Sequence, residues 1–81
     1  MAGINRCVKE FEGALQERGI RRSRVARQTI EVPLPFSFNP AGHARNLVET
    51  IRDVAEFVAR RNSASFELMT SNHVKVRFAG A

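Results

Sequence analysis

From Gly42 to Arg61 the chain reads GHARNLVETIRDVAEFVARR, and the apolar residues Ala44, Leu47, Val48, Ile51, Val54, Ala55 and Val58 recur at steps of three and four. That spacing puts them on one stripe of a 3.6-residue helix and leaves the charges outside. Arg45 with Glu49, Arg52 with Glu56, and Glu56 with Arg60 stand four residues apart on the outer face. Such pairs contribute only about 0.3 kcal/mol each, so packing of the stripe must supply most of the stability, and the stripe needs a sheet to lie on. A first helix is predicted from Ile4 to Arg18, with Ile4, Cys7, Val8, Phe11, Ala14 and Leu15 on its inner face. Gly13 weakens that helix, and Gly19 is placed to end it in the left-handed conformation.

Between the helices the period changes to two. In TIEVPLPFSF, Thr29 to Phe38, the residues Ile30, Val32, Leu34, Phe36 and Phe38 share one face, and Thr29, Glu31 and Ser37 share the other. Pro33 and Pro35 lie on the outward parity, so both missing N–H groups fall along one edge. This suits an edge strand, or two short strands with a bend between them, and argues against a central position. Asn39 is placed to cap the second helix, with Pro40 at its first position; Arg60 and Arg61 suit its C-terminus, and Asn62-Ser63 ends it. Ser65 to Thr70 and His73 to Phe78 then read as a hairpin around Ser71-Asn72, with Phe66, Leu68, Val74, Val76 and Phe78 inward. The expected architecture is a single α+β domain over residues 1–81. Its order is α-β-β-α-β-β, with a four-stranded antiparallel sheet and two helices packed on one face. All inward strand residues are even-numbered, which leaves the register little freedom. An exposed edge such as Ser65 to Thr70 could pair with its copy, so a homodimer is expected.

Charge changes the picture next. Thirteen basic residues against eight acidic ones give a net charge of +5, and only Lys9 and Lys75 among them are lysines. The excess points to an acidic partner, either nucleic acid or an acidic protein surface, and arginine suits bidentate contact with carboxylate or phosphate. The densest stretch is Arg18 to Arg27, RGIRRSRVAR, which holds five arginines and no acid. Repulsion within it predicts an exposed segment, mobile in the free protein and ordered mainly by a partner. The single cysteine, Cys7, excludes an intramolecular disulfide and a multi-cysteine metal site, and reads as a buried free thiol. His43 and His73 stand thirty residues apart without ligand spacing, and no glycine-rich phosphate loop is present. No cofactor is expected. No apolar run approaches the roughly 20 residues of a membrane span, and the N-terminus lacks a signal-peptide core, so a cytoplasmic protein is expected.

The segment FSFNPAGHARNLVETIRDVAE resembles the core of the pterin-4a-carbinolamine dehydratases. In that family an F-x-F strand end leads into a helix bearing an alanine, a branched apolar residue and Ala-Glu at fixed spacing; here these are Phe36, Phe38, Ala44, Ile51, Ala55 and Glu56. Val74, Val76 and Phe78 resemble the family's last strand, with about three extra residues needed before it. The resemblance covers residues 29–78 and implies the dehydratase-like fold without its C-terminal helix.

The departures bear on function. Where the dehydratases carry His-His-Pro this chain has Arg60, Arg61 and Asn62, and Ala81 falls where a further histidine would be. Arginine stays protonated and cannot serve as the acid or base, so the expectation is a scaffold that is not an enzyme. Members of the fold family that lack these histidines include the Rubisco assembly factors of α-carboxysome operons, which this chain resembles in length and in the missing final helix. That resemblance implies a homodimeric chaperone, cytoplasmic or carboxysome-associated, acting on the Rubisco large subunit in carbon dioxide fixation. The expected contacts are Arg21, Arg22, Arg24, Arg27, Arg60 and Arg61. The alternatives are a nucleic-acid-binding module using the same arginines and a dimerisation cofactor of a regulator; an active pterin dehydratase is the least expected.

Overall fold

In the computed structural model, which describes residues 2–34 and 41–80 (side chains at 4–34 and 46–80), helix α1 (Ala2–Glu17) stops where glycine permits it. Gly19 takes φ 69°, its N–H donates to Gln16 O at 3.0 Å, and the Ile20 N–H donates to Leu15 O at 2.9 Å. This paired closure satisfies two terminal carbonyls and seats Ile20 against the core, as the left-handed cap requires. The chain then forms β1 (Ser23–Ala26), β2 (Thr29–Pro33), α2 (Ala41–Arg61), β3 (Ala64–Thr70) and β4 (His73–Gly80). The sheet order is β1-β2-β4-β3, with every neighbouring pair antiparallel.

The register pairs even residues with even. Ile30 faces Val76, Val32 faces Val74, and Phe66 faces Phe78. Ile30, Val32, Leu34, Val74, Val76 and Phe78 are buried, and Phe66 and Leu68 pack partly buried beside them. Both helices cover this face: α1 contributes Cys7, Val8, Phe11 and Leu15, and α2 contributes Ile51, Val54, Ala55, Val58 and Ala59, in one cluster. The rings of Phe11 and Phe78 meet edge-on at 5.2 Å between centroids, a favoured aromatic geometry that joins α1 to the sheet. The odd residues Lys75, Arg77, Glu67 and Met69 occupy the opposite, exposed face. The α+β class, the element order and the β3 edge are therefore as the pattern predicts.

Three expectations are corrected. Arg18 to Arg27 is exposed, but it is not a structureless connector, because Ser23–Ala26 is a strand paired with β2 and interrupted by a bulge between Arg24 and Ala26. The first two strands are thus β1 and β2, not two halves of Thr29 to Phe38. Nor is β2 an edge strand, since it lies between β1 and β4. The physical reason is local. Leu34 N–H reaches Asn72 O on the β4 side, so the alternation of a strand turns the Pro33 nitrogen toward β1. The pairing with β1 ends at Ser23 opposite Glu31, and no ladder bond is demanded of Pro33. His73 is half-buried opposite Pro33. The expected continuation through Phe36 and Phe38, the Asn39 cap, Pro40 and Ala81 lie outside the described residues, as do the side chains of His43, Ala44 and Arg45.

Candidate partner-binding surface

The C-terminal turn of α2 is held by the side chains of Arg60, Arg61 and Asn62. Asn62 N–H donates to Ala59 O at 3.1 Å, while its side-chain Nδ2 donates to Val58 O at 2.8 Å and to Glu10 Oε1 at 3.1 Å. One amide thus satisfies an orphan carbonyl of α2 and ties the helix to α1. Arg61 Nε lies 3.9 Å from the same Glu10 oxygen, and its guanidinium sits 5.6 Å from the centre of the Phe57 ring. Arg60 donates to Glu56 Oε2 at 3.0 Å. Ser63 closes the turn at φ 52°, a conformation that disfavours a residue with a Cβ.

The remaining arginines separate into held and free ones. Arg22 donates to Gln16 Oε1 at 3.1 Å, and Arg24 forms an ion pair with Glu12 at 2.8 Å. Arg24 stands opposite Ile30, an inward residue, so its side chain rises toward the helical layer and meets α1. Arg21 and Arg27 are exposed and, among the described residues, have no ion pair or hydrogen-bond partner. The six expected contact residues do not form one patch. Arg21 lies beside Leu47, roughly 20 Å along the α2 axis from Arg61 at 1.5 Å per residue. Arg27 sits at the turn between β1 and β2, at the β1 edge of the sheet, while Arg60 and Arg61 precede β3 at the other edge.

The charge is segregated by layer. The two helices carry six basic and six acidic side chains, so the whole excess of five lies outside them, where seven basic residues accompany two acids. Five of those seven fall between Arg18 and Arg27. The β3 strand, by contrast, carries one charge, Glu67.

Two other features complete the surface. A groove of about 570 Å³ runs between α1 and α2 over Gly13, Ala14 and Val58, flanked by Asp53 and by Phe57, a residue 61% exposed. Phe57 is legible in the sequence as an aromatic off the buried stripe. Cys7 is buried, as expected; burial first, and the Glu10 charge second, push its thiol above the ordinary value of 9.0. A buried, protonated thiol is a poor nucleophile. Among the described residues no three His, Cys, Asp or Glu side chains are arranged to hold a metal ion, and no helix is long and apolar enough to cross a membrane.

Sequence reasoning missed the acidic partners Glu10 and Glu12 because each pairing is made by the packing of α1 on the other elements. No motif announces a contact such as Glu10 to Asn62 across 52 positions. Comparison with protein-family models finds no match, and comparisons with curated proteins and with solved structures find none either.

Proposed function

We propose that this protein is a non-catalytic assembly factor that acts as a homodimer, its basic surface contacting an acidic client, the Rubisco large subunit. The observation that carries the reading is the segregation of charge, with a neutral helical layer and an excess of five positive charges outside it. An arrangement of that kind steers an acidic macromolecule toward one side of a small protein. Two further points support it. The element order α-β-β-α-β-β agrees with what the resemblance implies, and Arg60, Arg61 and Asn62 are engaged in helix-end contacts where the resemblance implies proton-transferring histidines. The client and an association with carboxysomes follow the resemblance to the α-carboxysome assembly factors. Dimerisation assigns the nearly uncharged β3 edge to a second copy.

The test is co-expression with Rubisco large and small subunits in a heterologous host, reading assembled, active enzyme. The wild type should raise the yield, Arg21→Glu with Arg27→Glu should abolish the gain, and Arg60→Glu should retain most of it. Absence of a gain with wild type, together with binding to arbitrary nucleic acid that falls steeply with salt, would replace this reading by a nucleic-acid-binding one.

A further inference from the structure

The geometry points to β1 as a strand-addition site, at which an extended acidic peptide segment of a partner pairs with the open edge between Arg21 and Arg27. The inference rests on the basic surface described above and names how that surface is read. Four observations carry it. First, β1 is an edge strand whose four residues are all exposed. Second, the register leaves the N–H and C=O of one residue, Arg24, turned away from β2, just ahead of the bulge that separates it from Ala26. Odd residues of β2 point their N–H and C=O toward β1, so Ser23 opposite Glu31 points inward to the ladder, and alternation turns the N–H and C=O of Arg24 outward. Third, the Arg24 side chain is drawn up to Glu12, which leaves its backbone accessible. Fourth, Arg21 and Arg27, which have no ion pair or hydrogen bond among the described residues, bracket the strand.

The chemistry of the edge selects the partner. A second copy of β1 would bring arginines against arginines, and like charges opposite one another disfavour pairing. An acidic strand meets no such barrier. Strand addition draws affinity from main-chain hydrogen bonds and specificity from the side chains at fixed spacing. Arg21 and Arg27 are six residues apart, at most roughly 20 Å in extended chain, which matches acidic side chains at the two ends of a seven-residue segment. Val25, 49% exposed, offers an apolar contact at the centre. A protein strand fits this edge better than nucleic acid does. The edge presents carbonyl acceptors as well as N–H donors, and no aromatic residue lies between Arg18 and Glu31 for a base to stack on.

The experiment uses a fluorescein-labelled seven-residue peptide with glutamate at both ends and alternating valine and threonine between, read by fluorescence anisotropy against the full chain. Two further peptides carry N-methyl groups on alternate amides, one on each parity, and leave the protein untouched. Strand addition requires that one parity weaken binding at least tenfold while the other changes it less than threefold. Arg21→Glu with Arg27→Glu should also weaken binding at least tenfold; among the described residues neither side chain has an ion pair or hydrogen bond, and circular dichroism checks that the variant is folded. Equal sensitivity to both methylation patterns, or none, would overturn strand addition in favour of a diffuse charge contact. A protein that ignores the peptide but binds a labelled single-stranded oligonucleotide overturns the inference as well. The peptide contains nothing of Rubisco, so expected binding without an assembly gain would sink only the client, and an assembly gain with the wrong methylation pattern would sink only the strand.

Discussion

Substituting alanine for glycine at two positions in and after α1 should shift stability in opposite directions, and the backbone alone decides the signs. At Gly13, in the interior of α1, a Cβ built on the backbone meets nothing within 4 Å, so no packing is gained or lost. What remains is the conformational freedom that glycine gives up in a helix, worth about 0.8–1 kcal/mol relative to alanine. At Gly19 a Cβ also meets nothing within 4 Å, yet φ is 69°. There the penalty is intrinsic to an L-residue in the left-handed region, about 1–2 kcal/mol. Relaxing φ to escape it would break the 2.9 Å bond from Ile20 to Leu15 and unseat Ile20 from the core. Gly13→Ala should therefore raise the urea midpoint, by about 1 M for a slope near 1 kcal/mol/M, and Gly19→Ala should lower it by at least as much. In thermal unfolding each kcal/mol corresponds to about 4–8 °C for a domain of this size. The sites lie about 9 Å apart along the helix, so the double variant should be nearly additive. Two shifts of the same sign would refute the reasoning, because then neither conformation would be governing the outcome.

Other expectations follow from the same geometry. Ser63→Gly should stabilise by about 1 kcal/mol, since φ 52° suits glycine, and a lower melting temperature would count against it. Asn62→Ala removes two side-chain hydrogen bonds, one that links the end of α2 to Glu10 of α1 and one that caps the Val58 carbonyl, and should cost about 1–2 kcal/mol in denaturant unfolding; a neutral result would mean that water replaces them. Burial raises the Cys7 thiol, so its contribution to stability is full below the ordinary value of 9.0 and is lost as the pH rises through the folded-state value. Unfolding free energy should therefore fall more steeply above pH 9 in the wild type than in Cys7→Ala, and the native thiol should react slowly with an aromatic disulfide reagent; equal slopes would refute this. Sedimentation equilibrium should give twice the 9.1 kDa chain mass, and a monomer at micromolar concentration would remove the dimer from the functional proposal.

Both helices and the β3–β4 hairpin are legible in the sequence because each has a clean period and a stop signal. Val54, Ala55 and Val58 keep helical spacing, Val74, Val76 and Phe78 alternate, and Gly19 stands two residues past the end of α1. The strand β1 is not legible, since SRVA has neither alternation nor a buried residue, and its neighbouring arginines resemble a solvated connector. It is a strand because β2 offers a free edge for it to close, a tertiary cause absent from the local pattern. Pro33 misleads for a related reason: a proline excludes a central position only where the neighbouring strand reaches its level, and the pairing with β1 stops at Glu31. The arginines were visible as a composition, but their separation into held and free ones depends on which acids α1 and α2 bring alongside.

That separation has a consequence for how so small a chain handles its charge. Arg60 and Arg61 lie close to Glu56 and Glu10, and Arg24 is drawn to Glu12, so each acid that holds an arginine belongs to the helical layer. Exposed or half-exposed pairs like these contribute at most about 1 kcal/mol each, and their larger effect is to cancel charge locally. The two helices are neutral by their own side chains, six basic and six acidic, and the excess charge falls on the segment from Arg18 to Arg27, of which only Ile20, partly buried, packs against the core. Among the described residues Arg21 and Arg27 can be reversed without loss of an ion pair or hydrogen bond, whereas reversal of Arg24 or Arg61 would set like charges beside Glu12 or Glu10. A loss of partner binding on reversing Arg21 and Arg27, in a protein of unchanged stability, reports recognition and not folding.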